Sequence, residues 1–294
     1  MNDYIIVVDS TTDLPAKMAD ELGVVVIPYI FTLDNKDYYN YLDSRELSSK
    51  DFYDALRAGK TATTTQVTAH RYMETWTPYL KEGKDILYMC LSSALSKSYE
   101  QSILATEQAK EAYPNCKVIT IDSRSASIGQ GALAYYASNF YKEGKSIDET
   151  AKLLKEIIPN LHHWIMVDDL HHLRRGGRVS GASAFVGSLI NIKPIITIVD
   201  DGRLIPLHKV RGRAKVLEFF REKLSEFEYS PKDQPIFIAH SDSLEMANQL
   251  KEQLSSNLGI DNFVMCEMGP VIGAHTGPGT LAVVFVGGKR ATSS

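Results

Sequence analysis

The chain has 294 residues, with 32 lysines and arginines against 36 aspartates and glutamates, a formal net charge of −4 at pH 7. Its 44% hydrophobic and 23% charged residues match ordinary globular usage and exclude long disorder and low complexity, while the lack of a net positive field argues against nonspecific nucleic acid binding. At roughly 150 residues per domain the length predicts two domains, each able to close its own core.

The N-terminus, MNDYIIVVDS, has no basic n-region, and its apolar run is far too short for a signal core or a membrane span. The three cysteines, Cys90, Cys116 and Cys266, are odd in number and widely spaced, which disfavours a disulfide framework and favours a reducing compartment. A cytoplasmic protein is expected.

In chain order, short β-branched runs at 4–8, 24–33, 86–91, 118–121, 164–167, 195–199, 204–210, 236–239 and 281–286 alternate with helical patterns, the signature of α/β units on mostly parallel sheets flanked by helices. Helix starts are expected at Asp13 with Pro15 just inside, at the capping box Ser146 to Glu149, and at Asp242 to Glu245. Val199-Asp200-Asp201-Gly202 separates two apolar runs with an Asp-Gly hairpin turn, so the second domain should hold a mixed sheet. Pro159-Asn160 stops the helix over 149–158 and places the boundary near 158–164, giving domains 1–160 and 161–294 with a ligand crevice between them.

Hydroxyls follow the strands: Asp9-Ser10-Thr11-Thr12, Ser92-Ser93, Asp122-Ser123 and Ser241-Asp242-Ser243. In an open α/β sheet these positions line the crevice where ligands bind, but the same residues are also the preferred helix N-caps. No Gly-x-x-x-x-Gly-Lys loop and no Gly-x-Gly-x-x-Gly fingerprint occurs, so the usual loops for ATP and dinucleotides are missing. Gly129-Gln130-Gly131 reads as close helix packing. His162, His163, His171 and His172 are adjacent pairs that face opposite ways, with no zinc-like spacing nearby; no metal site and no cofactor is expected.

The ordered blocks Val8-Asp9-Ser10-Thr11-Thr12-Asp13-Leu14, Thr64-Thr65-Gln66, Leu91-Ser92-Ser93-Ala94-Leu95-Ser96, Asp122-Ser123, Asp168-Asp169-Leu170, Gly176-Gly177-Arg178-Val179-Ser180, Lys193-Pro194 and Gly273-Ala274-His275-Thr276-Gly277-Pro278-Gly279 run over almost the whole chain. Together they resemble the DegV family of bacterial fatty acid-binding proteins. The resemblance implies a two-domain α/β fold that buries a long-chain fatty acid (C14 to C18) in an apolar tunnel and presents its carboxyl group to a separate kinase, which makes an acyl phosphate for phospholipid synthesis. It implies that Thr64 and Ser96 meet the carboxylate, with Thr65 and Ser93 close by and His275 at the closing block. Two departures stand out: Lys97-Ser98-Tyr99 replaces the usual Gly-Thr-Tyr, and Val67 replaces a proline.

Several roles stay open at this level. Arg178 either faces the cleft or a partner, as Ser10 and Arg211 are also expected to do, or caps the preceding helix or pairs with Asp168 or Asp169. His275 either orients the carboxyl group or pins a Gly-rich loop. Arg174, Arg175, Arg178, Lys209, Arg211 and Arg213 form a local basic excess suited to the kinase, a phosphate or transient contact with an anionic membrane surface. The alternative to a carrier is a serine-dependent hydrolase or acyltransferase joining Ser93 or Ser96 to His275, without an identifiable nucleophile elbow or acidic third member.

Overall fold

The computed structural model describes residues 3–179, 191–226 and 234–292; Ser180 of the Gly-Gly-Arg block lies outside them. The first apolar run forms β1 (Tyr4–Asp9), followed by α1 (Ala16–Leu22). The run over 24–33, expected as one strand, is two. Pro28 separates them because it has no N–H to give a ladder. Here the chain changes sheets: β2 (Val25–Ile27) pairs in parallel with β1, whereas β3 (Tyr29–Leu33) opens an antiparallel sheet. A two-residue turn at Asp34 and Asn35, with φ of 53° and 62°, returns the chain as β4 (Lys36–Asn40). There follow α2 (Ser49–Arg57), β5 (Ala62–Thr65), α3 (Ala69–Lys81), β6 (Asp85–Cys90), α4 (Ser98–Ala112), β7 (Val118–Asp122), α5 (Ile128–Lys142) and α6 (Ile147–Ile157). The capping box of Ser146 and Glu149 forms as read from the sequence.

The second half runs β8 (Leu161–Met166), α7 (His171–Gly176), β9 (Ile192–Ile198), β10 (Leu204–Arg211), α8 (Arg213–Ser225), β11 (Ile236–His240), α9 (Leu244–Leu258), β12 (Phe263–Glu267), α10 (Pro270–Thr276) and β13 (Leu281–Val286). The Asp-Gly turn joins β9 to β10, with Gly202 at φ 84°. Strand orders are β2-β1-β6-β7, wholly parallel, β4-β3-β5, antiparallel, and β10-β9-β8-β13-β11-β12, in which only β11 and β12 run parallel. The fold is α/β with a parallel sheet and a mixed sheet, and its antiparallel part extends well beyond the single expected hairpin.

Two expected caps are corrected. Asp13 and Asp242 adopt left-handed backbone, φ 51° and 47°, whereas an N-cap residue needs an extended one. The residues that precede α1 and α9 are Pro15 and Ser243. Asp13 instead accepts from Ser127 Oγ and, at 2.8 Å, from the Gly269 N–H, while Asp242 pairs with Arg57.

Besides a core largely of the first half and another of the second, the two halves share buried packing. One cluster joins Val8, Leu87 and Met89 of the parallel sheet to Phe237, Ala282 and Val284 of the mixed sheet, with α5 between them. The α5 glycines permit this close approach: a Cβ on Gly131 would stand 3.0 Å from the Thr12 carbonyl oxygen. In the other direction α10 inserts Val271 and Ala274 among Phe31, Phe52 and Tyr53 of the first half, where Tyr53 Oη donates to the Met268 carbonyl at 2.6 Å.

Candidate functional site

In the parallel sheet β1 is flanked by β2 on one side and β6 is flanked by β7 on the other, so the connections leave β1 and β6 in opposite directions. Beyond the carboxyl ends of such a strand pair the loops diverge and leave a crevice. The loop after β6, held at its start by the Leu91 N–H on Asp9 at 3.4 Å, forms one side of a cavity of about 300 Å³. Apolar side chains from five elements make its body: Ile165 of β8, Ile196 of β9 and Ala282 and Val284 of β13 in the mixed sheet, Ile128 of α5, and Val271 and Ile272 of α10. His163 and Ile165 share the cavity face of β8 because side chains alternate, and Trp164 points to the opposite core.

Polar residues of the lining ring one opening. Thr64 Oγ1 lies 2.9 Å from His275 Nε2. The other edge of the His275 ring abuts Gly176, where a Cβ would overlap Nδ1. Arg178 donates to the Gly176 carbonyl and, at 3.2 Å, to the Leu95 carbonyl. Ser96 Oγ donates to Ser98 Oγ at 3.1 Å and accepts from the Ser98 N–H at 3.2 Å, and Ser98 Oγ also receives Tyr29 Oη at 2.6 Å and the Val67 N–H at 3.0 Å. From Val67 the chain leads back to Thr64. Thr65, Gln66 and Lys97 also line the cavity, and among its described lining residues there is no carboxylate.

Burial, then the nearby Arg178 and Arg175, push His275 down to a pKa of about 4, so the ring is neutral at pH 7. Its Nδ1 is buried with no hydrogen-bond partner among the described residues. An orphaned acceptor is tolerated better than an orphaned N–H, which places the ring proton on Nε2. Nε2–H then donates to Thr64 Oγ1 and leaves the threonine proton free.

Not every expected residue is here. Thr64, Thr65, Ser96, His275 and Arg178 are brought together, but Ser93, Ser10 and Arg211 are not among the lining residues. Ser93 Oγ donates to Asp122. Ser10 is buried, its Oγ accepting from the Tyr29 N–H at 3.0 Å and from Asn40 at 3.1 Å. Arg211 is exposed at the end of β10. Arg178 does cap α7, yet it forms no pair with Asp168, which binds Lys193 at 2.8 Å, or with Asp169, which accepts from the His171 N–H. His275 belongs to the last turn of α10 rather than to a loop. Neither Ser93 nor Ser96 is hydrogen-bonded to His275, whose Nε2 faces Thr64, so the serine-histidine pair of the hydrolase alternative is not formed.

The departure at Lys97 brings no strain, since the residue has φ −74°, and the Val67 N–H is used by Ser98, which a proline could not do. Tyr29, His163, Met268 just before α10, and Val271 and Ile272 of α10 also line the cavity without having been anticipated. Pro270, at the first position of α10, was the available signal for that helix.

The family model described as "Uncharacterised protein, DegV family" matches residues 4–287. A DegV domain-containing protein of Clostridium perfringens is 42% identical over 290 residues, 99% of each chain. The chain belongs to the DegV family. Among solved structures of this family, the chain is similar to a fatty acid-binding DegV protein from Thermus thermophilus (27% identity, TM-score 0.86, 97% of this chain and 99% of that one). It is likewise similar to DegV from Bacillus subtilis, described as a fatty acid-binding protein (30% identity, TM-score 0.81, 98% of this chain and 100% of that one). Among the described residues of this DegV chain no helix is long and apolar enough to cross a membrane.

Proposed function

We propose that this cytoplasmic DegV protein binds a long-chain fatty acid, C14 to C18, with the tail in the apolar cavity and the carboxylate at Thr64, Ser96 and His275. The single observation that carries this reading is the division of one cavity into an apolar body and a hydroxyl-lined opening that has cations and, among the described lining residues, no carboxylate. The fatty acid binding described for the Thermus and Bacillus relatives supports it.

The energetics agree. A tail of about fourteen methylenes leaving water contributes on the order of 11 kcal/mol before ordering costs. A carboxylate taken from water needs donors, each worth roughly 1.5–3 kcal/mol when the acceptor is charged. The free Thr64 proton supplies one, and the part-exposed Ser96, whose hydroxyl donates to Ser98 Oγ in the empty cavity, supplies a second by turning that proton to the ligand. Thr65 and Arg178 flank them, so the tail supplies affinity and the opening offsets the desolvation of the head group.

We further propose that the carboxyl group is presented to a separate kinase, which transfers a phosphoryl group from ATP to a carboxylate oxygen and yields acyl phosphate and ADP. The exposed Arg174, Arg175, Arg178, Lys209, Arg211 and Arg213 suit an acidic kinase face or transient contact with anionic lipid. Denaturing mass spectrometry of protein purified from bacteria tests the binding step: a co-purifying C14 to C18 acid, and a rise in Tm on adding one to stripped protein, are expected. The absence of both signals would overturn the reading. Acyl phosphate formed only when loaded protein, kinase and ATP are combined would establish the second step.

A further inference from the structure

Three basic side chains line the opening, and they differ in what they can offer a ligand. His275 is neutral at pH 7. Arg178 is tied to the wall through the Leu95 and Gly176 carbonyls. Lys97 follows Ser96 directly at the start of α4, with helix-compatible φ −74° and ψ 3°, and its side chain is exposed. Its ammonium forms no hydrogen bond or ion pair with a described residue, although Glu100 stands in the first turn of the same helix. Among the described lining residues there is no acid, so none of them competes for this charge.

We propose that Lys97 is a specificity-determining residue that makes the opening favour an anionic head group over a neutral one on the same tail. This rests on the fatty acid reading of the cavity. An exposed ammonium acts through solvent, so its effect is modest, about threefold in affinity. The attraction decays over about 10 Å at 0.1 M salt and less at higher salt, and it acts mainly on the rate of capture.

The test uses the full chain stripped of lipid, with dodecanoate and dodecanol as probes. Lys97→Gln keeps the length and removes the charge; Lys97→Arg restores it. At low salt Lys97→Gln should lose about threefold in dodecanoate affinity with dodecanol unchanged, the loss should vanish at high salt, and Lys97→Arg should bind like the wild type. Equal dodecanoate affinity in wild type and Lys97→Gln at low salt, or an equal loss for both probes, would overturn the inference while leaving the fatty acid reading standing. If the wild type bound neither these probes nor a C14 to C18 acid, that reading would fall and this inference with it.

Discussion

Two hydroxyl-rich regions of this molecule look alike in sequence and behave differently in space. At the end of β1, Asp9 accepts from the Thr11 N–H at 3.0 Å, from Tyr88 at 2.9 Å and from Gln130 at 3.2 Å, and Ser10 is buried between Tyr29 and Asn40. At the cavity opening, Thr64 keeps a free proton, Ser96 is part-exposed, and among the described residues His275 Nδ1 has no partner and Lys97 no acid to pair with. The first region spends its polar groups on holding β1, β3, β6 and α5 together. The second holds capacity in reserve, which a bound carboxylate needs. Residue type does not separate Asp9, Ser10 and Thr11 from Thr64 and His275; saturation does, although Thr12 Oγ1 in the first block is also buried without a partner among the described residues.

The comparison breaks most directly at the opening. Thr64→Ala combined with Ser96→Ala removes two donors to a charged acceptor, each worth roughly 1.5–3 kcal/mol, so titration calorimetry should show fatty acid affinity falling at least about a hundredfold. Unchanged affinity would mean that the carboxylate sits elsewhere. Ser10→Ala at the saturated end should do the opposite. It leaves the buried Tyr29 N–H without its acceptor, at a cost of about 1–3 kcal/mol in chemical denaturation, with ligand affinity preserved.

Asp13 sharpens the same contrast through pH. Burial pushes its carboxyl up to about 8, whereas an unfolded chain releases that proton near pH 4. Between those values the native state holds the extra proton, so this group's contribution to stability falls as pH rises, by up to about 1.4 kcal/mol per unit. The Tm of Asp13→Asn relative to wild type should therefore climb from pH 5 to pH 8. A flat difference would show that Asp13 is ionised in the fold.

Much of this arrangement was legible beforehand because apolar runs report burial: β1, β6, β7 and β13 lie within a residue or so of the positions their patterns mark. What escaped was polar or tertiary. Lys36–Asn40 and Ala62–Thr65 are short, polar strands without an alternating apolar face, and only the Asp34-Asn35 turn marked the first. The blocks carrying Thr64, Ser96 and His275 were visible, but the same signal included Ser10 and Ser93, whose hydroxyls are consumed by Asn40, Tyr29 and Asp122. Hydrogen-bond saturation depends on neighbours far away in the chain, so no local pattern encodes it. The cavity body has the same origin, since its walls come from β8, β9, β13, α5 and α10.

The smallest effect expected here is the most selective. Gly176 ends α7 with Gly177 behind it as the left-handed cap at φ 68°, and no positive φ is needed at 176 itself, so alanine suits the backbone. In a helix that exchange is worth up to about 1 kcal/mol in favour of alanine. The new Cβ, however, would overlap His275 Nδ1, and turning the ring out of its rotamer costs about 0.5–1.5 kcal/mol. The two contributions offset each other in stability but not in binding, because the displaced Nε2 no longer frees the Thr64 proton. Gly176→Ala should thus keep a Tm near that of the wild type while losing up to about tenfold in fatty acid affinity. If Tm and affinity instead fell together, His275 would be a packing residue of the α7–α10 contact, and the reserve at the opening would rest on Thr64 and Ser96 alone.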